Sequence, residues 1–146
     1  MKQAPKKKAK RKISLYKKDL WKQFALWVKL SKSPDGRYCP CFTCDAPLEI
    51  GTSNCQAGHW LPQGGYSATV FEPDNVRPQC YRCNIRLSGN TAVFEHRLRL
   101  EIGNERVDEL FEKRNNRWKA DQFWYSRKTN EYKTANDRLR EDAWLQ

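Results

Sequence analysis

The chain is predicted to fold as α+β, with a small zinc-bound core of short strands flanked by helices. Three observations carry this. Cys41/Cys44 and Cys80/Cys83 are two Cys-x2-Cys pairs, each spaced so that two thiolates on one turn grip the same ion. Between the pairs lie short segments with strand character, bounded by Gly, Pro and Asn, while on either side apolar residues recur at helical spacing. Finally, only 38% of the residues are hydrophobic, a thin supply for a core, and a structural metal is a standard remedy. Four thiolates fill every position of tetrahedral zinc, so this ion is expected to be structural.

Length and charge bound the rest. At 146 residues the chain suits one domain, with 28 Lys+Arg against 17 Asp+Glu and a net charge of +11. Residues 1–12 carry seven basic side chains and no acid, leaving 21 against 17, or +4, for the remainder. That excess favours a polyanionic partner, most often nucleic acid. No apolar run approaches the ~20 residues of a membrane span, and the N-terminus lacks the apolar stretch of a signal peptide. A cytoplasmic location is therefore expected, where paired Cys-x2-Cys motifs mean metal or redox chemistry and not a disulfide framework.

Taken in order, residues 1–12 read as a disordered basic arm, with Lys6, Lys7 and Lys8 available to displace counterions from phosphates. Ser14 is placed to cap a helix to about Lys32, whose apolar stripe is Leu20, Phe24, Trp27 and Val28, widened by Trp21. Ser33-Pro34-Asp35-Gly36 ends it. The first metal pair follows, Cys41 and Cys44; Cys39 and Cys55 are left as small buried thiols. The stretch 54–60 is a strand candidate, and Thr69-Val70-Phe71 is its expected hairpin partner. A short helix follows Asn84 to about Leu87. Asn90 or Thr91 then begins a helix to Ile102 that stacks Phe94, Leu98 and Ile102, and Gly103 stops it. A further helix from about Glu105 to Arg114 is expected to bury Val107, Leu110 and Phe111. The segment 117–146 reads as a C-terminal helical extension, with Tyr125, Tyr132, Ala135, Leu139 and Ala143 on one side. Packing within the chain and an oligomer contact explain that stripe equally well.

The combination His59…Asn75…Cys80-x2-Cys83-Asn84 resembles the HNH, or ββα-metal, nucleases. Over a longer span, Cys41-x2-Cys44, Ala57-Gly58-His59, Asp74-Asn75-Val76, Pro78-Gln79-Cys80-x2-Cys83-Asn84, Leu87-Ser88-Gly89-Asn90 and Ile102-Gly103…Arg106-Val107-Asp108 resemble the lambdoid phage NinG family, also called Rap. The resemblance implies a zinc-stabilised ββα-metal (HNH-like) core over residues 13–116. It also implies a recombination endonuclease cutting branched DNA, such as D-loops and Holliday junctions, in the host cytoplasm. Symmetric cutting of a junction would favour a homodimer.

Roles follow on that resemblance. His59 is the candidate base, since an imidazole with pKa near ~6.5 can take a proton from water at neutral pH. Asn75 is expected to orient it by accepting from the other ring nitrogen. Asn84 offers a hard oxygen suited to Mg²⁺ or Mn²⁺. HNH enzymes place an Asp before the base histidine where this chain has Gly58, so Glu72, Asp74 or Glu95 is expected to supply the carboxylate. Arg77, Arg82 and Arg86 are candidates for clamping DNA phosphates, with Arg97 and Arg99 extending the basic surface. His96 is expected to have a structural or surface role. The competing expectation is a non-catalytic, zinc-finger-like DNA- or RNA-binding protein, favoured by Gly58 and the basic arm.

Overall fold

Among the described residues two short antiparallel strand pairs are accompanied by four α-helices. The computed structural model describes residues 11–145; Lys6, Lys7 and Lys8 and most of the basic arm lie outside these. The first helix, α1, spans Ile13–Leu30 and begins one residue before the expected cap, with Lys12 at its N-cap. It buries Leu20, Phe24 and Val28 against Val76 and Tyr125. Burial of this kind contributes ~1.5–3 kcal/mol for each large apolar side chain.

Strands β1 (Tyr38–Pro40) and β2 (Pro47–Glu49) pair antiparallel, with Cys39 opposite Leu48. The Cys41–Cys44 turn lies between them. Strand β3 (Gln56–His59) pairs antiparallel with β4 (Val76–Gln79), placing Gly58 opposite Arg77 and His59 opposite Val76. The expected partner, Thr69-Val70-Phe71, is not a strand: Ser67–Thr69 forms a tight helical turn. The actual partner is fully buried, although Pro78 argues against a strand on sequence alone. The Pro78 carbonyl accepts the Phe42 N–H at 2.8 Å, tying the strand to the first metal turn.

A short, wide helical turn at Arg82–Arg86 follows β4. Helices α2 (Thr91–Ile102) and α3 (Asn104–Lys113) meet at Gly103, which has a φ of +87° and so takes the sharp bend that stops α2. They bury Phe94, Leu98, Val107 and Leu110 with Trp60 and Leu61. Phe111, expected inside, is 42% exposed and is covered on one face by the Arg114 guanidinium.

The last helix, α4 (Gln122–Trp144), starts with the Asp121 side chain accepting the Trp124 N–H. It packs along α1. Tyr132 meets Phe24 and Trp27, and buried Asn136 donates to the Gln23 carbonyl at 3.0 Å. Its tyrosine stripe is therefore occupied within the chain. Among the described residues no helix is long and apolar enough to cross a membrane.

Candidate functional site

The four cysteines of the two pairs converge. The sulfurs of Cys41, Cys44, Cys80 and Cys83 all lie within 4.8 Å of one another. Tetrahedral zinc with bonds of ~2.3 Å separates its sulfurs by about 3.8 Å, and Cys44 and Cys80 are 3.8 Å apart. Backbone geometry adds to the fit, because the Cys80 N–H points at the Cys41 sulfur (3.3 Å) and the Cys83 N–H at the Cys80 sulfur (3.4 Å). Burial raises the Cys41 thiol, but the N–H groups of Cys80 and Thr43 outweigh it and bring the group down to about 6. Such a cluster is compatible with zinc. Cys39 and Cys55 are buried beside it with their sulfurs 3.7 Å apart, and so find each other as neighbours within the small core.

His59 ends β3, half-buried against α1. Its ring stacks on Trp21, centroids 5.1 Å apart and planes 17° apart. Nε2 lies 2.9 Å from the Val70 carbonyl, and Nδ1 lies 3.5 Å from the Gln63 amide nitrogen. A carbonyl only accepts, so Nε2 carries the proton and the Nδ1 lone pair faces the Gln63 amide, from which it accepts at the long distance of 3.5 Å. Burial pushes the imidazole below its ordinary value, and the Val70 bond opposes this only in part.

Asn75 directs its side-chain hydrogen bonds elsewhere. Its Oδ1 accepts the Leu61 N–H at 2.7 Å, and its Nδ2 donates to the Leu61 and Thr69 carbonyls at 2.9 Å each. The side chain is fully enclosed and its hydrogen-bonding groups are engaged by the backbone, so the expected bond to His59 does not form. It pins instead the loop from Leu61 to Thr69, and the next carbonyl along, Val70, is the one that holds His59.

Asn84 sits in the middle of its turn with its N–H bonded to the Cys80 carbonyl (2.9 Å), and its Nδ2 donates to Gln56 Oε1 (2.8 Å). Its Oδ1 lies close to Gly58, whose missing side chain leaves room for the Gln79 amide. A Cβ at Gly58 would lie 3.0 Å from Asn84 Oδ1 and only 2.0 Å from Gln79 Oε1, so the two oxygens are no more than 5.0 Å apart, the sum of those distances. Gln79 was not foreseen as a site residue. It is fully buried, and its Nε2 donates to Thr43 Oγ1 (3.1 Å) and to the Gly89 carbonyl (2.8 Å). Because a carbonyl cannot donate, the amide is fixed in orientation, and Oε1 is left buried without a hydrogen-bond donor. A lone glutamine before a cysteine gives no sequence signal; only its packing on Gly58 reveals it.

The expected carboxylate partners are spoken for. Glu72 pairs with Lys113, Asp74 with Arg106 at 2.7 Å, and Glu95 with Arg99 at 2.9 Å. The oxygens that would hold a divalent cation are thus neutral amides, right in hardness for Mg²⁺ or Mn²⁺ but without the carboxylate those ions favour.

Arg77, expected to clamp phosphate, is 5% exposed and committed to the Pro73 and Val76 carbonyls and to Glu101. Its strand is the buried one, so the guanidinium ties β4 to α2 and does not face DNA. Arg82 and Arg86 are exposed. Arg97 forms a two-point pair with Asp45, and Arg99 bridges Glu95 and Asp108. His96 is exposed on α2.

No curated protein and no solved structure matched this chain in comparison. A family model did, that of the bacteriophage lambda NinG protein, over residues 1–141. This span takes in α1, both hairpins, the thiolate cluster, His59 and nearly all of α4. The chain belongs to the phage lambda NinG family.

Proposed function

We propose that the chain is a metal-dependent endonuclease that hydrolyses phosphodiester bonds in branched recombination DNA, built on a structural zinc site and acting in the host cytoplasm. The observation that carries this reading is the state of His59. Its Nε2 is occupied by a main-chain carbonyl, which leaves Nδ1 as the basic nitrogen. Burial keeps the ring neutral at the pH where it must accept a proton. Asn75 acts one step removed, as a positioning residue that fixes the loop carrying Val70. Trp21 covers one face of the ring and limits its rotation.

Asn84 Oδ1 and Gln79 Oε1, which both lie close to Gly58, are the oxygens that would hold Mg²⁺ or Mn²⁺. Such an ion, when bound, polarises the phosphate and stabilises the leaving oxygen. His59 takes the proton from the attacking water. Arg82 and Arg86, exposed on the turn that carries Asn84, are placed to neutralise neighbouring phosphates.

A second reading has an observation of its own. Glu72, Asp74 and Glu95 are all held in ion pairs, which favours a zinc module that binds nucleic acid without cutting it. Incubation with a synthetic four-way junction separates the two. The endonuclease reading expects nicking that requires added Mg²⁺ or Mn²⁺; salt-sensitive binding with no cleavage under either ion selects the binding module.

A further inference from the structure

Beside His59 a cleft of about 890 Å³ opens between α1, the loop after β3 and the segment leading into α4. Four cations line it, namely Lys17, Lys18, Arg117 and Lys119, and no carboxylate does. Among the described residues none of the four forms an ion pair. Part of the remaining wall is aromatic: Trp21 and Trp118 contribute ring surface, with the buried Tyr125 behind them. Trp118 is held at the rim by its N–H, which donates to Ser67 Oγ at 3.0 Å, and by an edge contact with Trp124. It is nevertheless 37% exposed.

The cleft and the histidine share walls. Trp21 stacks on the His59 ring, Gln63 approaches Nδ1, and Val70 supplies the carbonyl to Nε2. Unpaired cations would draw a phosphate backbone, and flat rings beside them would receive an unstacked base, since every base has a π-face. A duplex keeps its bases stacked inside and cannot use the rings.

We propose that this cleft seats an unpaired nucleotide of single-stranded or branch-point DNA, delivering the adjoining backbone to His59. The proposal deepens the endonuclease reading and takes the identity of its ligand from it, but concerns binding, which can be measured without cleavage.

The test uses the full chain with its zinc and no added divalent ion. Binding is followed by fluorescence anisotropy with a labelled 20-mer of thymidines and a 20-base-pair duplex. Trp118→Ala should weaken binding of the single strand by about 5- to 150-fold, the range for losing one base–aromatic stack. It should leave the duplex within about twofold, and Trp118→Phe should restore most of the loss. Equal weakening on both probes, or none on either, would overturn the seat.

A second arm needs no variant. A single unpaired 5-iodouracil in an otherwise duplex probe should photo-crosslink within residues 117–125 or 17–21; crosslinks confined to other segments would also overturn it. Crosslinking in the cleft without cleavage of any junction would retain the seat and remove the endonuclease reading. Metal-dependent cleavage without such crosslinks would do the reverse.

Discussion

The two hairpins are alike in size and pairing but differ in what surrounds them. Around β1–β2 the chain is largely closed: Cys39, Cys41 and Leu48 are buried, the four cysteine sulfurs converge, and of those four cysteines Cys44 alone is exposed. Around β3–β4 one side is sealed by Val76, Arg77 and Gln79, while His59 is half-open toward a basic and aromatic cleft. A closed region shows itself through stability, an open one through what it binds and converts. Perturbing each in turn should therefore produce different kinds of loss, and the expected losses fall in a clear order.

Removing a thiolate should be the most damaging. Structural zinc binding in small domains is worth ~10 kcal/mol or more, comparable to the total stability of a domain of this size, about 5–15 kcal/mol. Cys80→Ser is expected to lose zinc and cooperative unfolding together, as read by metal analysis and a thermal melt. A wild-type melt would show that the first hairpin does not depend on its metal.

Asn75→Ala should come next. It strands the Leu61 N–H and the Leu61 and Thr69 carbonyls, and each unmet buried group costs ~1–3 kcal/mol. A loss of about 3 kcal/mol or more in denaturant unfolding is expected. If Asn75 positions His59 through the loop, kcat should fall more than KM rises. A substitution that leaves stability untouched would contradict the hydrogen-bonded loop.

Gly58 provides a smaller and sharper test. An added methyl would meet Gln79 Oε1 at 2.0 Å, and overpacking of this kind typically costs ~1–3 kcal/mol. Gly58→Ala should destabilise by about that amount. Combined with Gln79→Ala, which vacates the space, it should cost less than the sum of the two single changes. Strict additivity would mean that the two residues do not meet.

The smallest effect is in pH dependence. Burial holds His59 below its ordinary pKa, so the unfolded chain takes up a proton that the folded chain resists. Stability should fall as pH drops through ~6.5, the unfolded value, toward the folded one. The acidic limb of any cleavage activity should have its midpoint below ~6.5 for the same reason. A midpoint above that value would remove His59 as the titrating base.

Much of this was legible in the residues themselves. Cysteine spacing announces the thiolate cluster because a Cys-x2-Cys turn has few other uses, and helical periodicity gives α1, α2 and α3 within a residue or two. Strand β4 was hidden by Pro73 and Pro78, whose local preference for a loop is overridden by burial of the strand. Asn75 could be singled out but its partner could not, because an amide can satisfy a ring or a loop equally well and only the fold decides. Trp21 read simply as packing, yet it packs on His59. Gln79 and the cleft were invisible, since both arise from contacts between segments far apart in the chain.

The central claim is that the zinc frame and the His59 chemistry are separable parts of one enzyme. The most direct test is His59→Ala, assayed in parallel for zinc content, thermal melt and Mg²⁺-dependent nicking of a four-way junction that the wild-type protein cuts. The account predicts one zinc per chain, a cooperative melt and no nicking. Nicking at the wild-type rate by the folded, zinc-loaded variant would contradict it.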